Sequence, residues 1–157
     1  MAFLQMDKNA KRTLCTPQDY RHASKVTFEH ANDFFALSMN AMKNLFPQAI
    51  SAITANIAFT CEIYLKCILL YEEQEIEGHY LDALFSKIKS NEIKQQIKNF
   101  VCDKDFDTSL KEVRKAFEIG RYGNEYPTMA CNMKFLGDLM ISLQKECKIL
   151  LEVAENA

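Results

Sequence analysis

Glycine and proline are scarce in this chain, whose 157 residues include four glycines and three prolines. Because these residue types interrupt regular structure, their scarcity predicts long and continuous helices. The alternation of apolar and polar residues that is typical of strands also never persists for more than a few residues. Together these two absences exclude a β-rich architecture and favour an all-α protein.

Several motifs of catalysis and cofactor binding are also missing. The sequence has no Gly-x-Ser-x-Gly nucleophile elbow and no glycine-rich phosphate loop. Its six cysteines include no Cys-x-x-Cys pair, which argues against a zinc site and predicts reduced thiols that pack as small apolar side chains. His22, His30 and His79 lack the His-x-x-x-His or Glu-x-x-His spacing of a helical metal site. We therefore expect no metal and no other cofactor.

The charge balance is slightly acidic. Apolar residues make up 48% of the chain, which is typical of a globular protein. The net charge is −2 and the isoelectric point is near 5.9, which argues against a globally basic nucleic-acid-binding protein. Residues 87–121 nevertheless contain nine Lys or Arg against six Asp or Glu. This local excess could attract phosphate groups, or its charges could simply alternate on solvated helix faces.

The organisation of the chain is simple. Residues 1–15 show no helical period and are predicted to be a loosely ordered arm without a signal peptide, followed by one domain over residues 16–157. Ala49–Tyr71 is apolar almost throughout, but Glu62 and Lys66 lie in its middle, where two charges would be costly in lipid. These two residues have the favourable i,i+4 order of a structural ion pair. We therefore expect the buried central helix of a soluble, cytoplasmic protein.

Hydrophobic periodicity predicts an all-α helical bundle of two long helices and three or more shorter ones. The two long helices are expected from Pro17 to Asn44, after a Thr16 cap, and from Pro47 to Glu73. Further helices are predicted to open at His79, to follow a Ser90 cap, and to run over Phe106–Ile119 and Met133–Ala154.

The segment Arg121–Tyr126 gathers polar and aromatic side chains where a helix is expected to end. Counting four residues on from the inward-facing Phe117 leads to Arg121, so this arginine is expected close to the inward face, which is unusual for its type. The candidates for binding a ligand or a phosphate group are Arg121, Tyr122, Asn124 and Glu125. Alternatively, Arg121 only pairs with Glu125 or Glu62 to close the bundle.

Three segments of the chain resemble signatures of HEPN domains. Ile57–Leu70 is similar to the second helix of that family, which carries a Glu and, four residues later, a Lys. Gly78–Leu84 is similar to the Gly-His-x-Leu-x-x-Leu start of the next helix. Phe117–Glu125 is similar to the family segment with Phe, then Arg-Tyr, then Glu. The three matches follow the family order and span residues 57–125.

The resemblance implies a helical bundle that commonly dimerises. It also implies an association with prokaryotic toxin–antitoxin and abortive-infection systems, often with a nucleotidyltransferase as partner protein. Many members are metal-independent ribonucleases whose site is an arginine and a histidine with four to six residues between them. Arg121 matches that arginine, but the histidine window holds Tyr126, Pro127 and Thr128.

Members of the family without the histidine are generally taken as binding or scaffolding versions. We therefore expect a non-catalytic, homodimeric domain that binds RNA, a nucleotide or a partner protein. Two alternatives stay open. One is an endoribonuclease toxin that uses Arg121 with an unusual acid–base residue, either Tyr126 or His79. The other is a helical interaction subunit of an unrelated assembly.

Overall fold

The computed structural model of this chain describes residues 14, 16–44, 49–121 and 131–155. Within these ranges the chain forms seven α-helices and no strand. They are α1 (Pro17–Lys43), α2 (Ile50–Tyr71), α3 (Leu81–Lys87), α4 (Asn91–Val101), α5 (Phe106–Val113), α6 (Ala116–Arg121) and α7 (Met133–Glu155). The predicted all-α helical bundle is confirmed, and α7 is a third long helix beside α1 and α2.

Helix α1 begins and ends where its sequence predicts. Thr16 Oγ1 accepts a hydrogen bond from the Asp19 backbone N–H at 3.1 Å, and Asp19 Oδ2 accepts one from the Thr16 N–H at 2.9 Å. This capping box satisfies N–H groups that helix geometry leaves unpaired. Pro17 takes the first helical position, and Asn44 ends the helix. Apart from Leu14, the arm predicted over residues 1–15 lies outside the described residues.

Small side chains let α1 approach α2 closely. Ser24, Ala31 and Ser38 are buried and recur every seven residues, which keeps them on one face of α1. The Ser24 hydroxyl donates to the Cys67 carbonyl at 2.9 Å, and Asn56 Nδ2 donates to Ser38 Oγ at 2.6 Å. Because the later residue of α1 meets the earlier residue of α2, the two helices run antiparallel.

Helix α2 is the central element, since it contacts α1, α3, α6 and α7. Among the described residues it alone is long and apolar enough to cross a membrane by length and composition, yet 78% of its apolar stretch is buried by the rest of the protein. The core helix of a soluble protein has the same length and composition. Pro47, where the sequence predicts that this helix begins, lies outside the described residues.

Helix α2 ends at Tyr71, two residues before its predicted end at Glu73. Glu73 has a φ of 56°, in the left-handed region. Its N–H donates to the Leu70 carbonyl at 3.0 Å, and the N–H of Gln74 donates to the Leu69 carbonyl at 2.9 Å. These two bonds form a Schellman motif, which satisfies the last carbonyls of the helix and turns the chain away.

The helix predicted over Phe106–Ile119 is broken into α5 and α6, so the prediction of one continuous helix is wrong. Arg114 and Lys115 form the turn between the two helices, although no glycine or proline marks it. Val113 and Ala116, on either side of the turn, are both buried. The break lets α5 pack against α3 while α6 packs against α2, so tertiary packing overrides the local helical period.

The neighbouring short helices begin at capping residues. Ser90 Oγ accepts a hydrogen bond from the Ile93 N–H at 3.3 Å, which confirms the predicted cap of α4. Asp105 Oδ1 accepts one from the Thr108 N–H at 3.4 Å at the start of α5. Each of these side chains satisfies a backbone N–H in the first turn of its helix.

Candidate functional site

The segment that the sequence singles out lies mostly outside the described residues. Arg121 is the last residue of α6, and its backbone is described but its side chain is not. Tyr122, Asn124, Glu125 and Tyr126 lie outside the described residues. Their roles in binding a ligand or transferring a proton therefore stay predictions, as does the pairing of Arg121 with a carboxylate.

Helix α6 lies along α2 and runs in the opposite direction. The Phe117 ring centroid is 5.4 Å from that of Phe59. Three residues later, Gly120 faces an earlier part of α2, where a Cβ atom would come 2.6 Å from both Ser51 O and Ala55 N. Gly120 therefore lies inside α6, at a position where only glycine permits this approach of two backbones.

A buried carboxylate on α2 joins a lysine and a histidine. Lys66 Nζ lies 2.7 Å from Glu62 Oε1, and His79 Nδ1 lies 2.9 Å from the same oxygen. The Glu62 side chain is 4% exposed, whereas that of His79 is 77% exposed. Because Glu62 engages Nδ1, it orients the imidazole ring, and Nε2 takes no part in the contact.

Two further cations lie near the ring of Tyr80, the residue after His79. Tyr80 is 40% exposed, and its ring centroid lies 5.6 Å from Arg114 Cζ and 5.5 Å from Lys115 Nζ. Both distances permit cation–π attraction. Arg114 Nη1 also lies 3.9 Å from Asp82 Oδ2, at the start of α3. The turn between α5 and α6 is thereby held against the segment that leads into α3.

We refer to Lys66, His79, Tyr80, Arg114 and Lys115 as the Tyr80 cluster. Two carboxylates accompany it, Glu62 and Asp82, against three permanent cations. The cluster therefore carries a net positive charge. An exposed aromatic ring among cations can contact both the phosphates and the bases of a nucleic acid.

Sequence reasoning identified part of this cluster and missed the rest. Glu62 and Lys66 were recognised by their spacing, and His79 as an alternative acid–base residue. Tyr80, Arg114 and Lys115 were not singled out, because they were assigned to helices. The adjacent basic residues between the apolar Val113 and Ala116 are the signal that could have found them.

An open groove of about 590 Å³ lies between α1, α2 and α6, next to the Phe59–Phe117 contact. The described residues that line it are Phe34, Ser51, Ala52, Ala55, Asn56, Phe59, Phe117 and Gly120. The Phe34 and Phe59 rings meet edge to face, with centroids 5.0 Å apart. The groove is thus mainly apolar, and aromatic on one wall.

The described cysteines are free thiols, and three of them are buried in the core. Burial raises the pKa of Cys61 far above its ordinary value, and burial likewise raises the pKa of Cys147. Neutral thiols of this kind are poor nucleophiles. Within the described ranges, no group of three His, Cys, Asp or Glu side chains is placed to hold a metal ion.

Comparisons with models of protein families, with curated proteins and with solved structures find no match to this chain. The likeness to HEPN domains therefore depends on the three sequence segments alone.

Proposed function

We propose that this protein is a non-catalytic, HEPN-like helical domain that binds RNA or nucleotides through the Tyr80 cluster. The observation that carries the proposal is the exposed Tyr80 residue, whose ring has two cations of the α5–α6 turn near it and which directly follows a histidine held by Glu62. Cations supply attraction to phosphates, and an exposed ring supplies a stacking surface for a base.

The proposal is also compatible with the slightly acidic charge of the whole chain. A net charge of −2 gives no general attraction to nucleic acids, so binding depends on a local group of cations. The non-catalytic part of the proposal is supported by the sequence, since no histidine follows Arg121 at the spacing of active family members.

The second candidate is a metal-independent endoribonuclease, and one contact favours it. A carboxylate that orients an exposed imidazole, as Glu62 orients His79, is a common arrangement of acid–base catalysis. Incubation of labelled RNA with a high concentration of the protein and a chelator tests this candidate. Cleavage by the wild type, absent in His79→Ala and in Arg121→Ala, would favour the ribonuclease, and intact RNA would favour the binding domain.

We also propose that the protein is cytoplasmic, forms a homodimer and acts in a prokaryotic defence or toxin–antitoxin system beside a nucleotidyltransferase-type partner. The family resemblance supports the setting. Val26 and Leu37 support the dimer, because these large apolar side chains on α1 are 45% and 57% exposed. Light scattering at micromolar concentration tests it, and a mass near 18.1 kDa instead of twice that value would contradict it.

Fluorescence anisotropy with labelled single-stranded RNA tests the binding function. We expect the double variant Arg114→Ala/Lys115→Ala to bind about tenfold more weakly than the wild type, because it loses two phosphate contacts. The matched control is Lys134→Ala/Lys148→Ala, which removes two exposed lysines of α7 that pair with carboxylates one turn away. Equal losses in both double variants would show that only total charge matters and would contradict the assignment.

A further inference from the structure

We infer that the groove between α1, α2 and α6 is a subsite for a nucleobase, and that it adjoins the Tyr80 cluster. This inference rests on the proposed function, because it assigns the phosphate of the same ligand to the cluster. It adds a place for the base and a preference among bases.

The first observation behind the inference is the position of the groove relative to the Tyr80 cluster. Phe59 and Phe117 line one end of it, and Glu62 follows Phe59 by three residues, or about 4.5 Å along α2. Lys115 precedes Phe117 by two residues. Helix α6 runs antiparallel to α2. Following α2 forward from Phe59 and α6 backward from Phe117 therefore leads from this end of the groove towards the Tyr80 cluster. A nucleotide is long enough to place its base and its phosphate at two neighbouring sites of this kind.

The second observation is that the shape and chemistry of the groove walls suit a flat aromatic ring. Phe34 and Phe117 both contact Phe59, with centroid distances of 5.0 and 5.4 Å, so three aromatic rings in mutual contact line the groove. Ser51 and Ala55 are small and leave room for a flat ring. A volume of about 590 Å³ lies in the range of small-molecule sites and exceeds what a single apolar side chain needs.

Asn56 supplies a polar group for recognition. Its Nδ2 donates to the Phe34 carbonyl at 3.2 Å and to Ser38 Oγ at 2.6 Å. A carbonyl only accepts hydrogen bonds, so this contact fixes the orientation of the amide. Oδ1 is thereby left as an acceptor on a residue that lines the groove. It can accept a hydrogen bond from a donor of the base, such as the amino group of adenine. Because uracil also has an N–H donor, the preference for adenine depends on the larger purine surface available for stacking.

Nuclear magnetic resonance titration tests the inference with three probes, namely adenosine monophosphate, uridine monophosphate and ribose 5-phosphate, which lacks a base. We expect the adenine nucleotide to bind about tenfold more tightly than ribose 5-phosphate, and uridine monophosphate to lie between them. Phe59→Leu, which keeps an apolar side chain but removes the ring, should abolish the advantage of the base. Phe28→Leu, whose ring contacts Tyr64 away from the groove, is the matched control.

Equal binding of adenosine monophosphate and ribose 5-phosphate would overturn the inference and leave the proposed function intact. Absence of binding by all three probes and by RNA would overturn both. If Phe59→Leu changes the oligomeric state but not nucleotide binding, the groove belongs to a second copy of the chain, which also overturns the inference. Thermal melting of each variant confirms that the fold is retained.

Discussion

Gly120 shows at the scale of one residue why the turn before α6 lies where it does. Its missing side chain lets α6 meet the α2 backbone at Ser51 and Ala55. That approach fixes the line of α6, and the cations that precede it are thereby placed beside Tyr80. A position without chemical function thus determines the geometry of the candidate site.

We expect Gly120→Ala to destabilise the protein by about 1–3 kcal/mol, since the new Cβ atom would overlap backbone atoms that cannot move aside. Gly137→Ala is the matched control on α7. Its Cβ atom would meet the flexible end of Met42 at 3.0 Å, and alanine favours the helix by up to about 1 kcal/mol. Chemical denaturation measures the free energy of unfolding of both variants. Equal stability of Gly120→Ala and Gly137→Ala would contradict this account of α6.

Glu146 leads to an expectation about pH. Burial raises the pKa of this α7 carboxyl above its ordinary value of 4.5, nearby Lys145 lowers it, and Glu92 raises it further. Since the folded state favours the neutral acid, the charged form costs stability above the folded-state pKa. That cost disappears as the pH falls through this value.

Glu146→Gln should therefore raise the melting temperature at neutral pH, by up to about 2 °C, and should have little effect below about pH 4. Glu112→Gln, which replaces an exposed carboxylate on α5, is the control. Melting curves of both variants and the wild type across this pH range provide the comparison. A gain in melting temperature of Glu146→Gln that grows towards low pH would contradict this expectation.

At the scale of helices, Glu72 connects the end of α2 to the start of α4. Its carboxylate accepts hydrogen bonds from the N–H groups of Lys89 at 2.7 Å and Ser90 at 2.9 Å. Glu72 is also the first residue of the acidic run Glu72–Glu77. This residue therefore anchors the connection between α3 and α4, although a run of acidic residues is usually solvated.

We expect Glu72→Ala to cost about 1–3 kcal/mol in the free energy of unfolding, because two backbone donors lose a charged acceptor. Glu75→Ala, an exposed residue of the same acidic run, should change stability by less than about 0.5 kcal/mol. Urea denaturation distinguishes the two. A similar small effect in both variants would show that water replaces the Glu72 contacts without cost.

The helices also show what the sequence could and could not predict. Local signals were sufficient for α1, with its Thr16 cap, and for α4, with its Ser90 cap, because such signals act within one helical turn. The break between α5 and α6 depends on contacts with α2 and α3, which are distant in sequence. Arg114 and Lys115 were missed for the same reason, since only the break places them beside Tyr80.

At the scale of the whole molecule, a slightly acidic chain brings the cations of the Tyr80 cluster together. Three elements that are separate in sequence build this cluster: α2, the segment before α3, and the α5–α6 turn. The cluster exists only in the folded bundle. Its proposed role in holding phosphates therefore has a quantitative signature in the dependence of binding on salt.

The most direct test is this salt dependence, measured for the wild type, for Arg114→Ala/Lys115→Ala and for the control Lys134→Ala/Lys148→Ala with the same single-stranded RNA. Each phosphate contact contributes about 0.7 to the slope of log affinity against log salt concentration for single strands. We expect the slope to become shallower by about 1.4 in the Arg114→Ala/Lys115→Ala variant and to stay unchanged in the control. An unchanged slope in both variants, or no RNA binding by the wild type at low salt, would contradict a phosphate-binding role for the Tyr80 cluster.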